Sequence, residues 1–89
     1  MEISYDAAKC AINIEQRNLS FERAADFEFD TALVAVDDRK NYGEERYIAL
    51  GLLDDRIHVL VFTETATGIR VISFRKANKR EVRRYENDQ

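Results

Sequence analysis

The sequence predicts an α+β domain in the order βααββββα: a short N-terminal strand, two helices, an antiparallel four-stranded meander and a closing basic helix. Three observations carry this prediction. Apolar residues recur at helical spacings up to about residue 29, the period changes to two from Thr31, and the chain closes on a cation-rich run that opens with a helix-start signal. Residues 1–89 are expected to form one domain, because a chain of 89 residues buries roughly 60–65% of its unfolded surface and supports a single modest core.

Residues 3–5 read as the first strand. Asp6 then caps a helix to about Gln16, with Ala7, Ala8, Ala11, Ile12 and Ile14 as its apolar contacts. After a turn over residues 17–19, Ser20 caps a second short helix that turns Phe21, Ala24, Ala25 and one of Phe27 or Phe29 inward. Strands follow over residues 32–36, 46–53, 57–64 and 69–75. They are separated by the acidic turn Asp37-Asp38 with a polar loop around Gly43, by the tight turn Asp54-Asp55, and by a hairpin loop ending at Gly68.

The last hairpin allows a closer reading. A type I turn at Ala66-Thr67 followed by a left-handed Gly68 makes a three-residue loop with a bulge. That register pairs Thr65 with Ile69, Glu64 with Arg70, Phe62 with Ile72, Leu60 with Phe74 and His58 with Lys76. It sets Arg70 and Arg75 on opposite faces unless the strand twists or bulges near Ser73.

Charge is unevenly distributed. Residues 1–44 hold ten acids and five bases, whereas residues 45–89 hold seven acids and nine bases. Arg75, Lys76, Lys79, Arg80, Arg83 and Arg84 lie within ten residues that contain one acid, Glu81. Asn78 is the expected N-cap of this last helix, with Glu81 three residues on as in a capping box. At 100° per residue, Lys79, Arg83, Arg80 and Arg84 fall at about 0°, 40°, 100° and 140°, and Val82 and Tyr85 near 300° and 240°. The helix therefore has a cationic arc and an apolar edge. Lys79 and Arg80 occupy its first turn, against the macrodipole, which points to an anionic partner as well as to a solvated face.

Other classes are disfavoured. No apolar run approaches the ~20 residues of a membrane span. The single Cys10 forms no internal disulfide, which fits a reducing cytoplasm, and it reads as a small packed hydrophobe. One Cys and one His leave no conventional zinc set, so neither metal nor cofactor is expected.

Several fragments in order carry a family resemblance. Tyr5-Asp6-x-x-Lys9 with Asn13 opens it, followed by Leu19-Ser20-Phe21-Glu22-x-Ala24-Ala25 and by Glu44-Glu45-Arg46-Tyr47 with Gly51. Thr63-Glu64, Arg70-x-Ile72-Ser73-x-Arg75-x-Ala77, Lys79-Arg80-Glu81 and Tyr85 close it. Along nearly its whole length the chain resembles the BrnT family, the toxin half of a bacterial type II toxin–antitoxin pair. The resemblance implies a RelE-like fold and ribonuclease activity that halts translation. It also implies a BrnA-like antitoxin that neutralises the toxin, contacts with DNA arising only through that antitoxin. The chain departs from the family at Gln16-Arg17-Asn18, where Lys-His-Gly is common, and at Phe74, where Ala is usual.

Cleavage through the ribose 2′-hydroxyl needs a proton acceptor, cations for the phosphorane and an acid for the leaving oxygen. In that reading Arg70 and Arg75 are candidate phosphate clamps, since a guanidinium fork matches phosphate oxygens. Glu64 is a candidate base or a holder of Arg70, and Arg46 stands at the head of its strand. The bland counterpart for Glu64 and Arg70 is a cross-strand ion pair of roughly 0.2–1 kcal/mol. Lys76, Lys79, Arg80, Arg83 and Arg84 are candidate RNA-backbone contacts. His58 is an acid–base candidate by its ordinary pKa of ~6.5, or else a half-exposed strand residue. Tyr5, Tyr42 and Tyr47 are base-stacking candidates whose alternative is packing, and the five Phe read as core. The alternative function is a non-catalytic binding module in a repressor complex, prompted by the missing histidine motif. A plain nucleic-acid-binding protein is the third reading.

Overall fold

The computed structural model describes all 89 residues. The chain runs β1 (Glu2–Tyr5), α1 (Ala7–Arg17), two 3₁₀ helices (Phe21–Asp26 and Phe29–Thr31), β2 (Leu33–Val36), β3 (Tyr47–Leu53), β4 (Arg56–Glu64), β5 (Gly68–Lys76) and α2 (Lys79–Asn87). The class is α+β, as expected. The sheet corrects the expected four-stranded meander: it has five strands in the order β1-β5-β4-β3-β2, and β1 lies parallel to β5. Gly68 opens that seam, because a Cβ there would overlap the backbone of Glu2. The Glu2 amide donates to Thr67 O at 3.0 Å.

Local chemistry fixes the helices. Asp6 Oδ1 accepts from the Lys9 amide at 3.1 Å, and Asn18, at φ 55°, ends α1 in the left-handed conformation. The predicted second helix forms as tight 3₁₀ turns capped by Ser20 rather than as an α-helix. Asn78 and Glu81 exchange both capping-box hydrogen bonds at 2.9 Å. Asp54 and Asp55 both take positive φ, which makes the two-residue turn between β3 and β4.

The sheet is apolar on both faces. One face packs against α1 and the 3₁₀ segment, through Phe21, Phe27, Leu60, Phe62, Val71 and Phe74. The other receives α2, through Leu50, Val59, Val61 and Tyr85. Gly51 leaves room for the Phe27 ring, which would meet a Cβ there at 2.6 Å. Asn13 spans α1 and β5 by donating to Leu19 O and Phe74 O at 2.9 and 3.0 Å.

The β4–β5 hairpin departs from the predicted register in its turn half. His58–Lys76 and Leu60–Phe74 pair as expected, but Phe62 faces Val71, Thr63 faces Arg70 and Glu64 faces Ile69. Thr65 and Gly68 close the loop, with the Thr65 amide donating to Gly68 O at 2.9 Å. Gly68 is not in the left-handed region, so close approach of β1, not turn geometry, is what demands glycine there. The extra residue of the bulge is instead Ile72, since Val61 faces Ser73 and Phe62 faces Val71.

Candidate functional site

The bulge decides where the arginines point. Ile69, Val71 and Phe74 all reach the cluster under α1 and the 3₁₀ segment, so inward positions on β5 step by three between Val71 and Phe74. Arg70, Ile72 and Arg75 therefore share the α2 face despite their mixed parity. With Arg46 they surround one region, which the predicted register divided between two faces.

There a hollow of about 310 Å³ lies between β3–β5, the loop over residues 37–46 and the first turns of α2. Its floor is Ile48, Val59, Val61 and Ile72, and its polar rim includes Arg39, Tyr42, Arg46, Ser73, Arg75, Glu81 and Arg84. Most of these guanidiniums are held by carboxylates of the same chain. Arg75 forms two bonds to Glu81, at 2.8 and 2.9 Å. Arg46 and Arg70 share Glu44, at 2.9 and 2.7 Å. Arg39 grips Asp37 at 2.7 and 2.8 Å, and Tyr42 donates its hydroxyl to the same carboxylate at 3.2 Å. The Arg46 guanidinium stacks 4.2 Å above the Tyr42 ring. Arg84 has no carboxylate partner.

These contacts set the protonation states. The Arg39 guanidinium holds the Asp37 carboxyl well below the usual carboxylate range, against the desolvation of its buried side chain. Arg46, and after it Arg70, lowers Glu44. Arg75, and after it the Asn78 amide, lowers Glu81, while Glu81 raises Arg75. The hollow is thus a set of fully charged forks that another acid of matching geometry can compete for.

Glu64 is not part of it. It sits on the opposite face, beside Tyr47, and Arg70 pairs with Glu44 in its place. Burial, then the charges of Glu45 and Glu64, raise the Tyr47 hydroxyl pKa. Of the predicted backbone contacts, Arg84 faces the hollow, while Lys76, Lys79 and Arg83 line a second depression beyond α2. Arg80 is exposed and lines neither. His58 is buried rather than half-exposed: its Nδ1 lies 2.8 Å from Arg56 O and its ring stands 5.7 Å from Phe74. That burial lowers its pKa. Tyr5 and Tyr47 pack against Phe21 and Phe62, so Tyr42 is the tyrosine left in the hollow. Asp37, Arg39 and Glu44 were missed as site residues. Their only signal was a dense acid–base–aromatic composition in a loop, which reads equally as solvated turn.

No group of three or more His, Cys, Asp or Glu side chains is arranged to hold a metal ion. No helix is long and apolar enough to cross a membrane. The family model for the ribonuclease toxin, BrnT, of type II toxin–antitoxin systems matches residues 5–81. The chain belongs to the BrnT family. It is a ribonuclease toxin of a type II toxin–antitoxin pair, and every rim residue named above except Arg84 lies within the matched span. No curated protein matches the chain. BrnT toxins act with an antitoxin, as type II systems do.

Proposed function

We propose that the arginine-lined hollow on the α2 face is the ribonuclease site, with Arg46 and Arg75 binding the scissile phosphate. The observation that carries this reading is the bulge at Ile72, which turns Arg70 and Arg75 to the same side as Arg46. Arg70 is a positioning residue: through the shared Glu44 it orients Arg46 over Tyr42. Glu81 takes the role first assigned to Glu64. When Arg75 turns to the phosphate, Glu81 loses the partner that keeps it a weak base and accepts the 2′-hydroxyl proton. The O2′–P bond forms and the P–O5′ bond breaks, leaving a 2′,3′-cyclic phosphate. The departing O5′ takes its proton from the Tyr42 hydroxyl.

In this scheme arginines stabilise the phosphorane, so the reaction needs no metal. Two N-terminal helical segments, antiparallel strands and a terminal helix are compatible with a RelE-like fold. We assign the partner as a BrnA-like antitoxin that covers the hollow, and the compartment as the cytoplasm, where the lone buried Cys10 stays reduced.

The test is incubation of end-labelled RNA with purified protein in excess chelator. Cleavage is expected, with an Arg75→Ala variant slower by about 10²–10³-fold, the size of losing one transition-state donor. Circular dichroism checks that the variant is folded. RNA left intact by folded wild-type protein at physiological salt overturns the reading.

A further inference from the structure

The charges around the cleavage hollow and those beyond α2 are arranged on different principles. Around the cleavage hollow Arg39, Arg46, Arg70 and Arg75 each have a carboxylate partner, and Arg84 alone has none. Arg56, Lys76, Lys79 and Arg83 have none, although the chain carries 17 acids. These four side chains ring a shallow depression of about 500 Å³ whose other lining residues, Ile57, Ala77 and Val82, are apolar. Four cations beside one another with no acid in the lining of the depression repel weakly through water, and none of them forms an ion pair with a carboxylate of the chain. Their placement makes sense if the counter-charge comes from outside.

The depression is not isolated. Arg56 and Lys76 also border a wider hollow of about 740 Å³ at the β3–β4 turn, on the side of His58 and Arg17. Arg75 borders both that hollow and the cleavage hollow. Cationic surface therefore continues from the cleavage hollow, past Arg75 and Lys76, round the end of the sheet to the foot of α2.

We propose that this ring of unpaired cations is a second site that holds the phosphates of the RNA strand flanking the cleaved bond. The proposal rests on the cleavage hollow being the nuclease site. An extended single strand fits better than a compact anion, because the cations are spread over two adjoining open hollows, the smaller floored by Ile57, Ala77 and Val82 and the wider lined mainly by polar side chains.

The experiment is salt-dependent binding of a labelled, 2′-O-methylated single-stranded oligonucleotide of about 12 nucleotides, a length within the range of single-domain sites. The blocked hydroxyl removes cleavage from the measurement. Arg56→Gln combined with Lys76→Gln, both exposed positions, is expected to lower the slope of log affinity against log salt by about 1.4. That is about 0.7 for each of two lost phosphate contacts. Lys9→Gln, an exposed cation on α1 outside both hollows, is expected to leave the slope as it is. An unchanged slope in the double variant overturns the second site and leaves the nuclease reading standing. So does unchanged RNA binding with weakened antitoxin binding, which would give this surface to an acidic protein segment. If the double variant loses slope but wild-type protein leaves ordinary RNA intact, the site stands and the nuclease reading fails.

Discussion

Asp37 holds Arg39 and Tyr42 at once, and it does so with a side chain only 1% exposed. Its carboxyl is depressed by Arg39, as Glu44 is by Arg46 and Glu81 by Arg75. A group whose folded pKa lies below its unfolded value stabilises the fold above the unfolded value, and that contribution drains away as pH falls through the folded one. All three act in the same direction, so thermal stability is expected to decline below about pH 4, the ordinary carboxylate range. Asp37→Asn removes one of the three. Its melting temperature is expected to be lower at neutral pH and to fall less between about pH 4 and pH 2. Melting curves across that interval check this, and an acid decline as steep as in wild type would remove Asp37 from the account. Phe74 shows the residue scale from the other side. In the resemblance a small Ala is usual at this position, but here the ring is fully buried against Phe27 and His58.

At the scale of elements, β5 joins the two ends of the chain, with β4 on one side, β1 on the other and α2 continuing from its end. Local signals made much of this legible. The change of period at Thr31 marked the strands, Asp54-Asp55 marked their tight turn, and Asn78 with Glu81 marked the start of α2. Two features were not settled by local signals, for one reason: the pairing of β1, and the bulge, which entered only as one condition under which Arg70 and Arg75 share a face. β1 pairs with a strand some 66 positions away, and the bulge at Ile72 arises from how β5 must meet β4 and both cores together. Neither leaves a mark in the alternation of a single segment, because Arg70-Val71-Ile72-Ser73 reads equally well without a bulge. Gly68 was legible as special but for the wrong cause. A Gly68→Ala substitution tests the cause, since its methyl would collide with the Glu2 backbone, not strain the turn. We expect a loss on the order of 1–3 kcal/mol, typical of overpacking. Amide exchange should quicken at Ser4 and Tyr5 while Leu60 stays protected. Uniform loosening of the β4–β5 turn with β1 still protected would favour the turn explanation.

At the scale of the molecule, a protein of net charge −3 must bind a polyanion with part of its surface only. The uneven halves of the sequence announced such a division, and the fold realises it through β4, β5 and α2. What composition did not separate is two kinds of cation: the arginines that, Arg84 apart, are poised by internal carboxylates around the cleavage hollow, and the arginines and lysines left bare around the end of the sheet. The difference has a kinetic consequence. Bare cations displace counterions from RNA when the complex forms, whereas a paired arginine exchanges one carboxylate for one phosphate with little net release. Capture should therefore be strongly salt-dependent and the bond-breaking step much less so. With about four phosphates neutralised by Arg56, Lys76, Lys79 and Arg83, kcat/KM is expected to drop about 50-fold between about 50 and 200 mM salt, from a slope near 0.7 per phosphate. Single-turnover cleavage at saturating protein should change only a few-fold over the same interval. Steady-state and single-turnover rates on one RNA decide the matter. Equal salt sensitivity in both would mean that the paired arginines also release ions on binding, and the division between gripping and cleaving surfaces would fall.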